Sequence, residues 1–526
     1  MPSEHVNLTP DAFEALIARR RADTPDGKTS TLAVPLCVRL LADQLTPVLA
    51  YRRLVAPDER TAPSFLLESV EGGERQGRYS ILSSRPTREI VATGHFDDPA
   101  RDPLAQIRRE SVGITLLRPP PRSARTDLPS CFLGGWVGYA AYDAVRYAEP
   151  DKLNRPPQDD RSLPDVAFAF YDGVVVFDHV DKIVHVVQLA LVAPDADVRG
   201  VYNQAIARLE RRIGEIQTHS KPLPAGRVPV EQTSPAPLAS NMTRGQHAAM
   251  LDKALEYIRA GDIFQVVLGQ RFERRTHVDP FDVYRALRAV NPSPYMVYMQ
   301  TGGCILVASS PEILCRVRRE QSGLVVTNRP LAGTRRRGST PEEDVALERE
   351  LLADQKERAE HIMLVDLGRN DVGQVAAPGS VHLDKVMEIE RYSHVMHISS
   401  TVTGRLRDGL DCWDALRAAL PVGTISGAPK IRAMQIIDEL EPVRRGPYGG
   451  GMGYVGLDGQ MDIALALRTI VVPVDQRNQD GWLYHLQASG GIVADSQHEA
   501  EYLETVNKAA ALARALDLAE SAFKDA

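Results

Sequence analysis

Three short apolar runs place the strongest constraint on the fold of this chain. Val166–Phe170, Gly173–Phe177 and Ile183–Leu189 are rich in β-branched and aromatic residues, and turn formers such as Asp172 and Asp178–Asp181 separate them. Runs of this length, interrupted by turn formers, are typical of antiparallel strands. The sequence therefore predicts a meander of antiparallel strands in this part of the chain.

A break in composition at residues 218–242 divides the chain. This stretch is rich in Pro and Ser and has little apolar periodicity, which is typical of a linker. We therefore predict an N-terminal region at residues 1–217, a linker at residues 218–242 and a C-terminal region at residues 243–526. A charged helix is predicted at Ala205–Ile216, shortly before the break.

Helix signals are clear after the break. A helix is predicted at Thr243–Ala260, with Thr243 as N-cap and Gly261 as its end, and a strand is predicted at Phe264–Leu268. Another helix is expected to begin at Thr340 and to run towards Asp366. The signals at its start are a capping threonine, a proline suited to the first turn and a capping-box glutamate, namely Thr340, Pro341 and Glu343. Strands followed by helices favour an α+β fold over a doubly wound one.

Composition excludes several classes of protein. The chain has 526 residues and a net charge of −7 with only local basic clusters, so no nucleic-acid partner is expected. No apolar run approaches membrane-spanning length and the polar N-terminus lacks signal-peptide features, so we expect no membrane contact and a cytoplasmic location. The five cysteines lack CxxC spacing, which indicates buried thiols rather than disulfides or a zinc site.

Two glutamate pairs are the first candidates for chemistry. Glu357 and Glu360 form one pair, Glu501 and Glu504 form the other, and each pair lies three residues apart in a strongly helical stretch. At that spacing both carboxylates project from one helix face, with Cβ atoms about 5–6 Å apart. If the two helices converge, the four carboxylates suit a Mg²⁺ ion. The alternative is that both pairs are solvated helix faces.

Three further segments in the second half are candidates for anion binding. Gly423–Lys430 is a small-residue loop before a helix predicted at Ala428–Leu440, so backbone N–H groups could face a carboxylate. Arg468 follows an alternating strand pattern and could pair with a carboxylate through its guanidinium fork. Ser489-Gly490-Gly491 comes before a predicted strand at Ile492–Ala494. The alternatives are a structural turn, a surface arginine and a β-bulge, respectively.

Taken together, these segments resemble the chorismate-utilising enzymes, and within that family component I of the anthranilate synthases. The resemblance covers nearly the whole chain and implies two orthogonally packed antiparallel β-sheets flanked by helices, a four-layer α/β/β/α arrangement. The segments that carry it are Leu66–Ser69, Asn291–Met296, Ser309–Glu312, Arg329–Arg335, Ala359–Asp371, Ser393–His397, Gly423–Lys430, Pro447–Gly450, Leu467–Thr469, Asp495–Ser496 and Glu504–Lys508.

The resemblance implies a metal and a substrate site. Mg²⁺ would lie among Glu357, Glu360, Glu501 and Glu504, with Glu360 and Glu504 as direct ligands, and the ring carboxylate of chorismate would complete its shell. The enolpyruvyl carboxylate would be held chiefly by an arginine and a tyrosine. The implied substrate-binding residues are Arg468, Tyr448, Gly490, Gly491, Lys508, Gln265, Ala332, Gly333 and Thr334.

The implied reaction has two parts. Ammonia adds at C2 of chorismate while the C4 hydroxyl leaves, and elimination of pyruvate then gives anthranilate. Glu312 resembles the general acid that protonates the departing hydroxyl, His397 resembles the residue tied to the C2 proton, and Thr424 is grouped with them as catalytic. The alternative for His397 is a core side chain, and His361 and His394 are expected to be structural.

Two positions separate the subclasses of the family. Gln265 stands where water-using isochorismate and salicylate synthases place a lysine base, and Ala332 stands where aminodeoxychorismate synthases commonly carry a nucleophilic lysine. Gln265 therefore favours ammonia over water as the nucleophile, and Ala332 favours amination at C2. The chain has no glutaminase motif, so ammonia would come from solution or from a separate glutamine amidotransferase subunit, in a heterotetramer of two large and two small subunits. The alternatives are aminodeoxychorismate synthase component I and a non-catalytic tryptophan-sensing subunit.

A regulatory site is also implied. Leu66–Ser69 and Asn291–Met296 resemble the family's feedback site for tryptophan, in which an acid and a hydroxyl bind the zwitterion and a proline-rich turn surrounds the indole. The residues concerned are Leu67, Glu68, Ser69, Pro292, Pro294, Tyr295 and Met296. The alternative is a buried strand packed on a structural turn. The chain departs from the family at Ser489-Gly490-Gly491, where Gly-Ala-Gly is frequent, and at Gln497-His498, where a proline is usual.

Overall fold

The computed structural model describes residues 5–23, 30–41, 43–71, 75–94, 96, 102–120, 128–218, 222–229, 236, 238–392 and 395–524. The helices are α1 Pro10–Ala22, α2 Pro47–Leu54, α3 Pro103–Ser111, α4 Val198–Ile216, α5 Arg244–Ala260, α6 Pro280–Val290, α7 Pro341–Ala353, α8 Gln355–Val375, α9 Cys412–Ala419, α10 Gly423–Ser426, α11 Lys430–Leu440 and α12 His498–Ala522. No helix among these is long and apolar enough to cross a membrane.

The strands up to the predicted linker are β1 Thr31–Leu41, β2 Ser64–Glu68, β3 Val70–Glu71, β4 Arg75–Gln76, β5 Tyr79–Ser84, β6 Arg88–Ala92, β7 Ile114–Leu116, β8 Gly135–Ala140, β9 Val166–Tyr171, β10 Gly173–Asp178 and β11 Ile183–Val192. The later strands are β12 Ala239–Ser240, β13 Gln265–Thr276, β14 Tyr295–Gln300, β15 Cys304–Ser310, β16 Ile313–Glu320, β17 Gly323–Asn328, β18 Leu331–Arg336, β19 His382–Arg391, β20 Val395–Arg405, β21 Gly427–Ala428, β22 Gly451–Gly456, β23 Met461–Leu465, β24 Thr469–Pro473 and β25 Trp482–Ile492.

Two large sheets contain nearly all of these strands. The first has the order β12-β13-β25-β24-β15-β14-β2-β5-β10-β11-β1-β7, with β21 beside β13. The second has the order β18-β20-β17-β16-β23-β22-β8-β9-β6, with β19 beside β20. All pairs in them are antiparallel except β1 with β7, which is parallel. The α+β prediction is therefore confirmed, and the sheets are antiparallel apart from this one edge.

Three apolar cores separate four layers. One core lies between the sheets and includes Phe65 and Val174 from the first sheet and Tyr139 and Ala167 from the second. A second core packs α1, α2, α4, α6 and α12 on the outer face of the first sheet. A third packs α3, α8 and α9 on the outer face of the second sheet. Most strands are thus buried on both faces, which explains why they are apolar throughout rather than alternating, whereas β6 and β19 are largely exposed.

The predicted meander is only partly correct. The three predicted strands form, but β9 pairs with β6 and β8 in the second sheet, whereas β10 pairs with β5 and β11 in the first. The turn at Asp172 therefore carries the chain from one sheet to the other instead of closing a hairpin. A single residue between two buried strands is too short for a hairpin loop but sufficient for a corner.

The predicted helix after Thr340 is two helices. Thr340 caps α7 as expected, but the Glu343 carboxylate bonds to the N–H of Ser339 instead of that of Thr340, so the predicted capping box is wrong by one residue. Asp354 then ends α7 and caps α8, its side chain accepting from the N–H groups of Lys356 and Glu357. α8 continues to Val375, beyond the predicted end.

Other boundaries also differ from prediction. The helix expected to begin at Ala428 begins at Lys430, because residues 427–428 pair with β13 as strand β21. Gly490 and Gly491 lie within β25 rather than before a strand. The helix at Arg244–Ala260 is confirmed, with Thr243 and Gln246 forming a capping box and Gly261 in the left-handed conformation. All five cysteines are free, as predicted.

The two regions on either side of the predicted linker share both sheets. β2 of the N-terminal region pairs with β14 of the C-terminal region, and β8 pairs with β22. Ala239–Ser240, at the end of the predicted linker, pairs with β13. The pairings of β2 with β14 and of β8 with β22 both lie in the interior of a sheet rather than at its edge.

Candidate active site

One cavity, with a volume of about 560 Å³, gathers all but one of the residues predicted for catalysis, substrate binding and metal binding. It opens between α8, α12 and the ends of several strands from both sheets. The predicted residues that line it are Gln265, Glu312, Ala332, Gly333, Thr334, Glu357, Glu360, His397, Thr424, Tyr448, Arg468, Gly491, Glu501, Glu504 and Lys508. Gly490 is not among the lining residues.

The two glutamate pairs converge on this cavity from two helices. Glu357 and Glu360 lie in the first two turns of α8, and Glu501 and Glu504 lie in the first two turns of α12. Because both pairs line one cavity, the structure favours a shared site over two separate solvated helix faces. Acidic groups near helix N-termini are also favoured by the helix dipole.

Each glutamate has one close partner within the protein. Glu357 pairs with Arg335 at 3.1 Å, Glu360 accepts from Gln265 Nε2 at 3.1 Å, Glu501 accepts from Ser496 Oγ at 2.6 Å, and Glu504 pairs with Lys508 at 2.6 Å. Every carboxylate therefore keeps acceptor capacity to spare, because an ionised carboxylate can accept about four hydrogen bonds.

Burial and mutual repulsion raise the pKa of two of these groups. The pKa of Glu360 is raised by burial and by the charges of Glu357 and Glu504, and the pKa of Glu501 is raised by burial and by Glu504. Oε2 of Glu501 is buried and has no hydrogen-bond partner among the described residues. A cation would supply the missing partner and relieve the repulsion.

The donor chemistry therefore fits a hard divalent cation, although the side chains are not closed around one. Among the described residues, no three or more His, Cys, Asp or Glu side chains stand close enough to hold a metal ion. Ionised carboxylate oxygens are the ligands that Mg²⁺ prefers, and Mg²⁺ keeps several positions for water and substrate oxygens. The orphaned Glu501 oxygen is the specific feature that a metal would satisfy.

Two glycines of β25 keep space open beside the glutamates. A Cβ on Gly490 would lie 3.2 Å from Glu501 Oε2, and a Cβ on Gly491 would lie 2.6 Å from Gln265 Nε2 and 3.7 Å from Glu360 Oε1. Any larger residue at 491 would thus displace the amide that holds Glu360. Their role is clearance for side chains rather than unusual backbone conformation.

Glu312 is a buried acid at the opposite wall. It is 4% exposed, and burial raises its pKa to about 8, while a hydrogen bond from Thr424 Oγ1 at 2.9 Å opposes that rise. The carboxyl is therefore protonated at neutral pH and can donate a proton. Thr424 lies in the short helix α10, where Gly423 packs so closely on Leu367 that no side chain would fit at position 423.

His397 is held as a neutral imidazole. Its Nδ1 lies 3.0 Å from the carbonyl oxygen of Gly333 and 3.0 Å from Thr334 Oγ1. Because a carbonyl only accepts, Nδ1 carries the proton and Nε2 is left with a lone pair. Burial and the nearby charge of Arg468 lower the His397 pKa to about 4. His361 is buried and bonds to Ser400, whereas His394 lies outside the described residues.

The carbonyl that orients His397 comes from an irregular strand. The pairing of β18 with β20 shifts register between Ala332 and Thr334, and Gly333 at this bulge has a φ of 67°. The left-handed conformation there favours glycine. A Cβ on Gly333 would also lie 3.1 Å from Glu357 Oε2, so the bulge packs against the acidic wall.

Arg468 and Tyr448 lie together on the cavity wall, and Lys508 lies near them. The Arg468 guanidinium is largely buried, which lowers its pKa, and it has no carboxylate partner among the described residues. Tyr448 donates to Ser489 Oγ at 3.1 Å, and Lys508 donates to the carbonyl of Ser489 at 2.8 Å. Arg468 therefore lines the cavity, unlike the alternative of a surface arginine at a strand end. A buried, unpaired guanidinium is a receptor for an anion.

The segments predicted for tryptophan binding lie side by side. β2 pairs with β14, with Glu68 opposite Met296 and Leu67 opposite Val297. The Glu68 carboxylate is buried and bonded to Tyr284, Arg288 and Ser80. Ser69 is half-buried directly after β2. The predicted proximity is thus present, but the Glu68 carboxylate already has three protein partners.

Some residues around the site were not predicted from the sequence. Lys356 and Gln487 line the cavity, and Arg335, which is not a lining residue, pairs with Glu357. Alternation along β25 was the available signal, because residues 487, 489 and 491 share one face of the strand. The contacts of Arg335 depend on the packing of β18 against α8, so no sequence pattern could have predicted them.

Comparison with known proteins agrees with this geometry. A family model described as chorismate binding enzyme matches residues 62–514. Anthranilate synthase alpha subunit 1 of Arabidopsis thaliana, named as chloroplastic, is 51% identical over 98% of this chain and 90% of its own length. Anthranilate synthase component 1 of Thermus thermophilus is 49% identical over 91% and 97%. Because one relative is chloroplastic, the cytoplasmic location stays a prediction.

A solved structure gives the same result. The crystal structure of anthranilate synthase component I from Streptococcus pneumoniae superposes with a TM-score of 0.70 at 36% identity, covering 83% of this chain and 92% of that chain. The sequence, the fold and the length of this chain are all similar to those of anthranilate synthase subunits. This chain belongs to the family of chorismate-binding enzymes, in which it resembles the component I proteins of anthranilate synthases.

Proposed function

We propose that this protein converts chorismate and ammonia to anthranilate and pyruvate. The observation that carries the proposal is that one cavity holds a buried Arg468 without a carboxylate partner and a Glu312 whose pKa is raised to about 8. The first suits a carboxylate of a dianionic substrate, and the second suits a leaving hydroxyl that needs a proton. The relatives named above are anthranilate synthase subunits.

The first step adds ammonia at C2 of the ring as the C4 hydroxyl leaves. Glu312 gives its proton to the departing hydroxyl, which leaves as water, and Thr424 stabilises the resulting carboxylate through its hydrogen bond. Gln265 offers a neutral amide rather than a base, so it cannot activate water effectively. Ala332 cannot form a covalent intermediate, so amination at C2 is favoured over amination at C4.

The second step removes the C2 proton and breaks the bond between C3 and the enolpyruvyl oxygen, so that enolpyruvate leaves and takes up a proton to become pyruvate. Nε2 of neutral His397 accepts the proton, while the Gly333 carbonyl holds Nδ1–H and stabilises the imidazolium that forms. Arg468 and Tyr448 hold the enolpyruvyl carboxylate through this step. The ring becomes aromatic, which drives the elimination to completion.

Mg²⁺ is the proposed cofactor, held by Glu360 and Glu504 with Glu357 and Glu501 beside them. When bound, it would orient the ring carboxylate of chorismate and offset its charge. Gly490 and Gly491 keep the approach to these carboxylates open, and Lys508 balances the charge of Glu504.

The ammonia source and the regulation complete the proposal. A separate glutamine amidotransferase subunit would supply ammonia, in a heterotetramer of two large and two small subunits. Tryptophan would inhibit by binding at Leu67, Glu68, Ser69, Pro292, Pro294, Tyr295 and Met296. The paired strands β2 and β14 support this placement.

The product decides the proposed function. Purified protein incubated with chorismate, ammonium and magnesium should release 2-aminobenzoate, measured by fluorescence and chromatography, and should accumulate no isochorismate or salicylate without ammonium. A 4-amino product would assign the chain to aminodeoxychorismate synthesis instead. No turnover at all would favour a non-catalytic tryptophan-sensing subunit.

A further inference from the structure

Arg445 is a buried arginine behind the cavity wall, in the loop between α11 and β22. It is 2% exposed and does not line the cavity. Its guanidinium forms a forked ion pair with Glu441, at 2.9 Å from Nε to Oε2 and 2.6 Å from Nη2 to Oε1. Removing two charges from water is costly, so good geometry has to offset that cost. The mechanism above gives neither residue a role.

The same guanidinium also binds two main-chain carbonyls of the cavity wall. Nη1 donates to the carbonyl of Ile425 at 2.7 Å, and Nη2 donates to the carbonyl of Val267 at 2.7 Å. Both Ile425 and Val267 line the cavity. Arg445 therefore connects α10 to β13 from behind that wall.

On β13, the ion pair lies between two short neighbouring strands. β21 pairs with residues 265–266 of β13 and β12 pairs with residues 272–273, so neither covers the stretch between them. There the Val267 carbonyl accepts from Arg445, and the N–H of Gly269 donates to Glu441 at 2.9 Å. The ion pair thus satisfies main-chain groups that a strand would otherwise satisfy.

On α10, the arginine satisfies a carbonyl that the helix itself cannot. α10 has only four residues, and its N-cap makes no side-chain hydrogen bond. In a longer helix the Ile425 carbonyl would accept from the N–H four residues later, but that residue is Pro429, which has no N–H. Arg445 supplies the donor instead. Directly before Ile425 lies Thr424, which donates to Glu312.

We propose that the Arg445–Glu441 pair positions Thr424 for the proton transfer from Glu312, an inference that rests on the proposed function. β13 is the fixed side, because it pairs with β25 from residue 266 to residue 276. The fork of Arg445 holds α10 against β13, so that Thr424 keeps its hydrogen bond to Glu312. Arg445 and Glu441 are positioning residues, since neither lines the cavity.

Arg445→Lys tests the inference, because it keeps the charge beside Glu441 and loses the fork that reaches both carbonyls. With Thr424 displaced, the Glu312 carboxylate loses its hydrogen bond as the proton leaves. We expect kcat to fall about tenfold or more, the loss expected for one hydrogen bond to a charged group. KM for chorismate should change little, because Arg161 still holds the carbonyls of residues 444 and 445 ahead of Tyr448.

The Glu312 carboxyl can also be titrated without turnover. Its protonated band in infrared difference spectra is identified by its absence from Glu312→Gln. Burial raises the pKa of Glu312 and the Thr424 hydrogen bond lowers it, so loss of that bond should raise the midpoint of the titration. Arg445→Lys and Thr424→Val should each raise the midpoint, and the double variant should raise it no further, because both changes remove one hydrogen bond.

Arg146→Lys is the matched control. Arg146 is also buried, pairs with both oxygens of Asp438 and donates to the carbonyl of Leu153. None of these three residues lines the cavity. The control should therefore lower Tm, as Arg445→Lys does, and leave kcat and the Glu312 midpoint unchanged.

Glu441→Gln changes the same contact from its other side. It keeps an acceptor for Gly269 and removes one acceptor from the guanidinium, so the Glu312 midpoint should again rise. A wild-type midpoint in either Glu441→Gln or Arg445→Lys, or a midpoint that Arg146→Lys raises equally, would overturn the inference and leave the proposed function intact. A wild-type protein that forms no aromatic amine would overturn the proposed function, and with it the catalytic purpose of the pair.

Discussion

At the scale of single residues, the chemistry depends on how burial sets protonation. Glu312 and His397 are both shielded from water, yet burial drives them in opposite directions, because it disfavours the charged form of each. The carboxyl is kept as an acid and the imidazole as a base at neutral pH. One cavity therefore offers a proton donor and a proton acceptor at the same time.

This arrangement predicts the pH profile of the enzyme. A carboxyl with a pKa of about 8 is protonated below that pH, so turnover should fall as pH rises through about 8. Thr424→Val removes the hydrogen bond that lowers the Glu312 pKa, and the alkaline limb should move to higher pH. Glu312→Gln should reduce kcat by about 10²- to 10⁴-fold and abolish the limb. An unshifted limb in Thr424→Val would show that another group titrates.

Most of the residues predicted from the sequence for catalysis, substrate and metal lie in one cavity, but few of their contacts could be predicted. Glu312, His397 and Arg468 belong to motifs that the resemblance implies, and the structure places all three in one cavity. The contact between Tyr448 and Ser489 joins residues 41 positions apart, on different elements, and no periodicity records it. Glu343 shows the same limit locally, since its partner is one residue away from the predicted one.

At the scale of elements, α8 and α12 act as a pair. Their N-terminal turns bring four carboxylates to one cavity, where each is held by a single partner. Such crowding destabilises the protein without a cation, because like charges raise one another's pKa. Replacing one of these glutamates by an uncharged residue should therefore lower the affinity for the metal and raise the stability of the metal-free protein.

We expect Glu360→Gln and Glu504→Gln to lower Mg²⁺ affinity at least tenfold and to abolish turnover, whereas Tm should stay the same or rise. Titration calorimetry with magnesium and thermal unfolding measure the two effects separately. Asp366→Asn is the matched control, because this exposed acid on α8 pairs only with Arg369 in the described structure. If either glutamine variant keeps wild-type affinity for magnesium, the metal assignment is wrong.

Strand and helix positions were largely predictable, but strand partners were not. The strands β9, β10 and β11 could be predicted, because apolar runs separated by turn formers are visible in the local sequence. Which sheet each joins depends on the corner at Asp172 and on earlier strands of the chain, such as β5 and β8, that no local pattern links to them. The break between α7 and α8 was not predicted, because nothing in the sequence distinguishes Asp354 from a residue inside a helix. Only the structure shows that its side chain caps α8.

At the scale of the whole molecule, the sheets connect the two proposed sites. β14 pairs with β2, where the proposed tryptophan site lies, and also with β15, which leads to Glu312 through residues 309–312. A small shift of β14 would therefore reach the catalytic cavity. Linkage requires that if tryptophan weakens chorismate binding, chorismate weakens tryptophan binding by the same factor.

Ser69→Arg tests this coupling. Gly77 packs so closely on Ser69 that a Cβ there would lie 2.7 Å from the serine Cβ, so a long side chain at position 69 must project elsewhere and fill the proposed pocket. Inhibition by tryptophan should be lost while uninhibited kcat stays within about twofold, because Ser69 does not line the cavity that contains Glu312 and His397. Steady-state rates of the wild type and of Ser69→Arg, measured at increasing tryptophan concentrations, test this prediction. Equal inhibition of both proteins, or none in the wild type, would mean that these segments are only structural.

The pairing of distant strands has a consequence for synthesis on the ribosome. β2 is made more than 200 residues before its neighbour β14, and β8 more than 300 residues before β22. Until those partners emerge, the nascent chain exposes long apolar strands with open edges, which are templates for intermolecular pairing. We therefore expect this protein to need chaperone protection during translation, and cells that lack such protection should lose it to inclusion bodies before its cavity ever forms.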